Sequence, residues 1–130
     1  MDNQSSTNCT AYQLSQEFHV PSRTIRSLCS RGLVPGVRRT LTGRLTFTAD
    51  QADWIKTLLR LQAIGFDGSE LKRYAELTRR GNETIPERKA LLETKKRQIW
   101  QAIEAAERNI DFIERQTELF DQALAKTNNR

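Results

Sequence analysis

The chain has 130 residues, of which 37% are hydrophobic and 28% are charged, and its formal net charge is +5 at pH 7. A chain of this length can bury one modest core and carry one long appendage, but it cannot bury two cores. Two cysteines, one histidine and no Gly-rich phosphate loop argue against a disulfide framework, a metal site, a bound cofactor and a catalytic centre, so we expect no enzymatic activity.

Basic residues outnumber acidic ones only in the first part of the chain. Between Phe18 and Ala49 there is no Asp or Glu, and the arginines in this segment are Arg23, Arg26, Arg31, Arg38, Arg39 and Arg44. The positive surplus lies in residues 1–82, whereas residues 83–130 are neutral. This distribution predicts a polyanionic partner. A membrane surface would also attract it, but the sequence has no stretch of transmembrane length and no apolar signal region, so we expect a soluble, cytoplasmic protein.

Two short helices are predicted after a polar, disordered tail at residues 1–8. The first runs from about Ala11 to Phe18. A turn that contains Pro21 separates it from a second helix, which begins at Ser22 and ends before Gly32. Two short helices joined by a tight turn predict a helix-turn-helix unit.

The second helix is amphipathic and carries arginine on its outer side. Ile25, Leu28 and Cys29 form its apolar stripe, so Cys29 is interpreted as a small buried hydrophobic residue, with a reactive thiol as the alternative. Arginine can fork onto a guanine edge or a phosphate, and a helix N-terminus attracts phosphate. The predicted DNA-contacting residues of this segment are Ser22, Arg23, Thr24, Arg26 and Arg31. The alternative is a solvated basic face.

After the second helix the pattern changes to that of short strands. Val37–Leu41 and Leu45–Phe47 predict a hairpin with a turn at Thr42-Gly43. A hairpin beside a helix-turn-helix unit is a wing. The basic residues predicted near its tip, in reach of backbone phosphates or an adjacent minor groove, are Arg38, Arg39 and Arg44. The alternative is a structural hairpin with solvated arginines.

Two further helices complete the predicted head. Thr48–Gln51 and Asp67–Glu70 each have the spacing of a capping box. Ile64-Gly65-Phe66 ends the first of these helices with a C-terminal glycine. We therefore predict one winged helix-turn-helix DNA-binding domain over residues 9–82.

The last third of the chain predicts one long helix. Thr84–Glu87 has capping-box spacing, and neither Pro nor Gly follows Pro86, so a helix can run from about Ile85 to Ala125. A heptad seam is formed by Leu92, Ile99, Ile103, Ala106, Ile110, Ile113, Thr117, Phe120 and Leu124. A seam of this length needs a partner helix, so we predict that residues 83–130 form a coiled-coil homodimer.

Two lysines interrupt the seam near its start. Lys89 and Lys96 occupy positions where the heptad pattern expects apolar residues. They either fix the register of the coiled coil or lie where the helix faces the head.

This order of elements, mainly α with a winged head, a helix pair and a terminal coiled-coil helix, resembles the MerR family of bacterial transcription regulators. The motifs that carry the resemblance are Arg23-Thr24-Ile25-Arg26, Arg31-Gly32-Leu33-Val34-Pro35, Arg39-Thr40 with Gly43, Phe47-Thr48-Ala49-Asp50 and Leu61-Gln62-Ala63-Ile64-Gly65-Phe66-Asp67. The resemblance covers the chain from about Cys9 onward. The chain departs from the family at Ser27-Leu28-Cys29, where aromatic and acidic residues are usual, and at Gly43-Arg44-Leu45, where Gly-Tyr-Arg is common.

The resemblance implies a regulator that binds double-stranded promoter DNA at a pseudo-palindromic operator. The family binds as antiparallel coiled-coil dimers and acts by bending and untwisting the promoter, which implies RNA polymerase as a partner and a nucleoid-associated location. A small-molecule effector of unknown identity is implied near the long helix. Asp121–Arg130 has no Cys or His and offers no further ligand domain, so we expect no cysteine-based metal sensing around the dimer helix. Thiol sensing would have to act through Cys9 or Cys29 in the head.

Two other function classes are open from the sequence alone. An excisionase-like accessory DNA-bending protein shares the winged head but does not require so long a heptad helix. A coiled-coil scaffold for protein partners would explain the long helix but would leave the acid-free arginine segment without a role. A salt-dependent shift of a promoter fragment distinguishes a DNA-binding protein from a scaffold.

Overall fold

The computed structural model describes residues 8–129, and most of them are helical. This part of the chain contains five α-helices: α1 (Ala11–Phe18), α2 (Ser22–Ser30), α3 (Ala49–Ala63), α4 (Gly68–Arg80) and α5 (Ile85–Asn128). Its three short strands are β1 (Cys9–Thr10), β2 (Arg38–Arg39) and β3 (Leu45–Phe47), which form an antiparallel sheet in the order β1-β3-β2. The mainly α fold with a helix-turn-helix, a wing, a helix pair and a long C-terminal helix is thus confirmed. The predicted tail at residues 1–8 lies, apart from Asn8, outside the described residues.

Side-chain caps define where three of the helices begin. The predicted capping boxes at Thr48–Gln51 and Asp67–Glu70 are both present. α1 has a third box, because Thr10 Oγ1 accepts the Gln13 backbone N–H at 3.1 Å and Gln13 Oε1 accepts the Thr10 N–H at 2.8 Å. Each box satisfies backbone donors that a helix start would otherwise leave unpaired.

α2 ends at a glycine, as predicted. Gly32 has φ = +74°, a left-handed conformation that suits glycine. The Gly32 N–H donates to the Cys29 carbonyl at 3.0 Å, and the Leu33 N–H donates to the Leu28 carbonyl at 3.1 Å. This termination turns the chain from α2 toward the wing and buries Leu33.

The first wing strand is shorter than predicted. β2 contains only Arg38 and Arg39 instead of Val37–Leu41. The pairing stops there because Thr40 closes a tight turn, in which its N–H donates to the Arg44 carbonyl at 2.7 Å. The returning strand, β3, has the predicted bounds.

β1 is an element that the sequence pattern did not reveal. It pairs with β3, with Cys9 opposite Phe47 and Thr10 opposite Thr46. Two residues are too few to produce a recognisable strand period. The pairing ties the start of α1 to the base of the wing.

The core of the head is shared by α1 to α4 and β3. Its fully buried large apolar side chains are Leu14, Ile25, Leu28, Phe47, Ile55, Leu58, Leu71 and Leu77. A directional contact reinforces this packing, because the Trp54 indole N–H donates to the Leu33 carbonyl at 2.7 Å. α3 therefore fixes the backbone just after the end of α2.

The start of α5 differs from the predicted capping box. The Thr84 N–H donates to the Gly81 carbonyl at 3.1 Å, and the buried Thr84 hydroxyl donates to the Leu77 carbonyl at 2.6 Å. The Glu87 carboxylate accepts a hydrogen bond from Arg73 at 2.7 Å. The side chains of Thr84 and Glu87 thus contact α4 instead of each other's backbone. Residue spacing alone could not reveal these contacts.

The chain divides into two compact units, with the division between Arg88 and Lys89. The first unit contains the sheet, α1 to α4 and the first turn of α5. The second unit is the remainder of α5, a helix of 44 residues in all, which corresponds to about 66 Å. Among residues 8–129, no helix combines the length and the apolar character needed to cross a bilayer.

Candidate nucleic-acid interface

α2 separates its apolar and basic side chains onto two faces. Ile25 and Leu28 are fully buried, whereas Arg23 and Arg26 are exposed. The helix begins after Pro21 without a side-chain cap. The positive end of the α2 dipole is therefore open to an anion.

An open cleft lies between the N-terminal ends of α1 and α2 and the wing. Its volume is about 710 Å³, and the polar side chains that line it include Tyr12, Gln13, Ser22, Arg26, Arg39 and Arg44. Three of these are arginines and none of the lining residues is acidic. Arg26 is oriented by a hydrogen bond from its Nη1 to the Ser22 hydroxyl at 3.1 Å. We call this site the basic cleft, because its charged lining residues are all arginines and such a lining attracts anions.

A second groove, of about 510 Å³, runs between α2 and the wing and shares Arg26 and Arg39 with the basic cleft. Arg23 and Cys29 also line it. Burial raises the pKa of the Cys29 thiol, and the positive charge of Arg39 opposes this shift to a smaller extent. The raised pKa favours the neutral thiol at physiological pH. Cys29 is only partly buried, so it is not one of the buried core residues that the apolar stripe predicted. Within residues 8–129, no group of three or more His, Cys, Asp or Glu is arranged to hold a metal ion.

The wing arginines are not equivalent. Arg39 Nη1 donates to the Gly43 carbonyl at 2.7 Å, so its guanidinium braces the turn of the wing. Arg44 is exposed at the edge of the basic cleft. Arg38 is adjacent to Arg39 on β2, and because successive strand side chains point to opposite faces, it lies on the face away from the cleft.

Arg31 lies outside the basic cleft. Its Nη1 is 3.6 Å from the position that a Cβ on Gly68 would occupy, so the side chain reaches the first residue of α4. Thr24 and Arg31 line a separate cavity of about 300 Å³ with Gln62. Of the predicted DNA-contacting residues, the structure brings into the basic cleft Ser22, Arg26, Arg39 and Arg44. Of the others, Arg23 lies in the adjoining groove and Thr24 lines the cavity beside Gln62 of α3. Arg31 reaches the start of α4, and Arg38 lies on the far face of the wing.

Tyr12 is a residue of the basic cleft that the sequence analysis did not select. Its side chain is 66% exposed in the first turn of α1. The sequence could have placed Tyr12 in the first turn of α1, because Thr10 and Gln13 have the capping-box spacing that marks the start of this helix. A large aromatic side chain in an exposed first turn then indicates a contact residue.

Comparison with known proteins identifies the family. The sequence profile of MerR HTH family regulatory proteins matches residues 9–78, which include α1, α2, the wing, α3 and most of α4. The chain belongs to the MerR family. An HTH-type transcriptional regulator from Haemophilus influenzae is 28% identical over 116 residues, which cover 89% of this chain and 86% of that protein.

Two solved structures share the fold of this MerR protein. The crystal structure of HiNmlR, a MerR family regulator that lacks the sensor domain and is bound to promoter DNA, has a TM-score of 0.69 and 29% identity, covering 80% of this chain and 79% of that chain. A Listeria monocytogenes protein assigned to the MerR family of transcriptional regulators has a TM-score of 0.74 and 23% identity, covering 93% and 92%. The protein is a MerR-family transcriptional regulator.

The second unit of this MerR protein presents the predicted seam as an exposed apolar row. The exposed fractions of its large side chains range from 38% at Leu92 to 64% at Phe120. The exposed members of the row are Leu92, Ile99, Ile103, Ala106, Ile110, Ile113, Phe120 and Leu124. A contiguous apolar surface of this kind marks an interaction site.

Proposed function

We propose that this MerR protein binds a pseudo-palindromic promoter operator as a homodimer and regulates transcription by distorting the DNA. The observation that carries the proposal is the acid-free basic cleft, on which Arg26, Arg39 and Arg44 converge. A surface with only positive side chains favours a polyanion. HiNmlR, which is similar over 80% of this chain, is bound to promoter DNA in its crystal structure, and this supports DNA as the ligand.

α2 is the helix proposed to enter the major groove. Arg23 and Arg26 are exposed near its N-terminus, and a guanidinium matches the O6 and N7 acceptors of guanine. Ser22 and the uncapped backbone N–H groups beside it suit a phosphate. The start of α2 would thus read bases and fix the register at the same time.

The wing and the start of α1 are proposed to contact the DNA backbone beside the major groove. Arg44 and Tyr12 lie at the edge of the basic cleft, where a phosphate chain would pass. Arg39 contributes charge to the basic cleft and braces the turn of the wing. The remaining predicted residues, which contribute charge or indirect positioning at the periphery, are Thr24, Arg31 and Arg38. In this proposal residues 9–82 are the DNA-binding domain.

α5 supplies the dimer contact in this proposal, within a dimerisation segment over residues 83–130. Its exposed row runs from Leu92 to Leu124 with the three-and-four spacing of a coiled coil. Burying an aliphatic side chain of this size contributes about 1.5–3 kcal/mol, so pairing with a second copy is strongly favoured. In an antiparallel pair the middle of the row would pack against its own copy, and each seam residue would face a partner from the same row.

A dimer with two heads at one spacing can read two half-sites and bend the DNA between them. Such distortion changes how the promoter elements are aligned for RNA polymerase. RNA polymerase is therefore the protein partner in this proposal. The protein would then act at the bacterial nucleoid.

Genome-wide mapping of binding sites, followed by footprinting on the strongest promoter fragment, tests this proposal. We expect salt-dependent binding and a footprint of two symmetric half-sites. Absence of binding to any DNA at low salt would contradict the proposal and favour a scaffold. Protection of one half-site by a monomer would favour an excisionase-like accessory protein.

A further inference from the structure

Leu41 is the most exposed large apolar side chain in the part of the chain that the structure describes. Its relative accessibility is 108%. It lies in the turn between β2 and β3, where small and polar residues are usual. The neighbouring turn residues, Thr40, Thr42 and Gly43, follow that rule, and Leu41 does not.

The turn that carries Leu41 is held by its own hydrogen bonds. The Thr40 N–H donates to the Arg44 carbonyl at 2.7 Å, and the Arg44 N–H donates to the Thr40 hydroxyl at 3.1 Å. The Arg39 guanidinium donates to the Gly43 carbonyl at 2.7 Å. Because these bonds close the turn on both sides of Leu41, the leucine is presented outward on a preformed tip.

The surroundings of Leu41 indicate which partner fits this tip. Arg39 and Arg44 flank it, and no acidic residue occurs between Phe18 and Ala49. A protein partner would require a wider apolar patch than one leucine, whereas proteins that bind the minor groove combine basic side chains with an apolar wedge.

We propose that Leu41 inserts into the minor groove that flanks each half-site, while Arg44 contacts the phosphates at the groove edge. This inference rests on the proposed DNA-binding function and adds a second point of sequence recognition to it. The wing is adjacent to α2 through the groove that both of them line. With α2 in the major groove, the wing tip is the element that reaches the neighbouring minor groove.

A leucine in the minor groove selects sequence without making hydrogen bonds. A G·C pair places the guanine 2-amino group on the floor of the minor groove, whereas an A·T pair does not. The amino group would clash with the aliphatic side chain and would lose its hydrogen bond to water. Leu41 therefore selects A·T pairs in the flanks, outside the bases that α2 reads.

Inosine substitution tests this directly. Inosine keeps the major-groove edge of guanine but lacks the 2-amino group, so it opens the minor-groove floor only. We expect the wild-type protein to bind a mapped operator with inosine·C flanks about five- to tenfold more tightly than the same operator with G·C flanks. Leu41→Ala should bind both duplexes equally, and Leu41→Met should keep most of the preference because it keeps the apolar bulk.

Three controls separate this inference from its alternatives. Leu41→Ala should keep the wild-type thermal unfolding midpoint and salt slope, because the lost side chain is exposed and uncharged. A lower salt slope in Leu41→Ala would show that the substitution disturbs the wing and its charge contacts. That result would overturn the inference. Equal binding of the two duplexes by the wild type, or a preference that persists in Leu41→Ala, also overturns it. If Leu41→Ala keeps the flank preference but no longer assembles with RNA polymerase, Leu41 contacts a protein and the inference is also overturned.

The proposed function can fail separately. If the wild-type protein binds no operator, DNA binding itself is wrong, and this inference falls with it. If operator binding depends on Arg26 but the flank preference does not depend on Leu41, only the minor-groove inference is wrong.

Discussion

Single arginines on the proposed DNA-binding surface differ in what their removal is expected to do. Arg26 lies in the basic cleft and Arg23 in the adjoining groove, and both are exposed on α2. We predict that Arg23→Ala or Arg26→Ala weakens operator binding by about 1–3 kcal/mol, because each would remove one of the proposed base or phosphate contacts. Fluorescence anisotropy measures the affinity, and thermal unfolding should show an unchanged midpoint.

Arg80→Ala is the matched control for these α2 variants. It removes the same charge from an exposed position at the end of α4, away from the basic cleft. Its effect on the operator should be limited to a small, salt-dependent loss. Wild-type operator affinity in both α2 variants would contradict the assignment of α2 as the recognition helix.

Substitution of the two wing arginines should weaken DNA binding for different reasons. Arg44→Ala removes an exposed charge. The affinities for specific and for non-specific DNA should therefore fall alike, and the salt slope of binding should fall by about one. Arg39→Ala should do the same and also loosen the turn, because the bond to the Gly43 carbonyl is lost. Amide hydrogen exchange at Gly43 should therefore rise in Arg39→Ala and stay unchanged in Arg44→Ala. Loss of specificity with full non-specific affinity in Arg44→Ala would show that this arginine reads bases.

Among the elements, α3 holds α2 in place at the end of the helix-turn-helix. The Trp54 indole N–H donates to the Leu33 carbonyl at 2.7 Å. We predict that Trp54→Phe lowers the free energy of unfolding by about 1–2 kcal/mol, since a partly buried carbonyl loses its donor. Urea denaturation measures this. Tyr12→Phe, which removes one exposed hydroxyl, should leave stability unchanged, and equal stability of the two variants would contradict this role for Trp54.

The elements that could be predicted from sequence are those specified by local chemistry. Gly32 and the boxes at Thr48–Gln51 and Asp67–Glu70 act through residues that are close in sequence, so spacing reveals them. β1 is too short for a period. Thr84 has capping-box spacing, yet its hydroxyl is bonded to the Leu77 carbonyl, a contact that depends on tertiary packing.

The proposed DNA-binding surface also combines features that local sequence reveals with features that depend on tertiary packing. Composition indicated that arginines would carry the interaction, but it could not assign their individual places. Arg31 reaches α4, Arg39 braces the wing turn, and Arg38 lies on the opposite sheet face. Tyr12 was missed because its place in the basic cleft depends on α1 lying beside the wing, which residue spacing does not reveal.

At the scale of the whole molecule, the proposed operator recognition requires two heads, and the proposed dimer contact is α5. Ile110 is 53% exposed in the middle of the apolar row. We predict that Ile110→Glu yields monomers or aggregates and abolishes operator binding, because an unpaired charge in a coiled-coil seam costs several kcal/mol. Glu104→Lys, an exposed charge change outside the seam, should remain dimeric. Light scattering measures the mass of each variant.

The most direct test of the central proposal is the stoichiometry of the protein on its mapped operator. Native mass spectrometry of the complex counts the chains bound to one duplex, and the same operator with one half-site scrambled is the control. We predict two chains on the intact operator and a large loss of affinity for the scrambled one, because a single head contacts only one half-site. One chain per intact operator, or an Ile110→Glu monomer that binds with full affinity, would contradict a dimeric regulator.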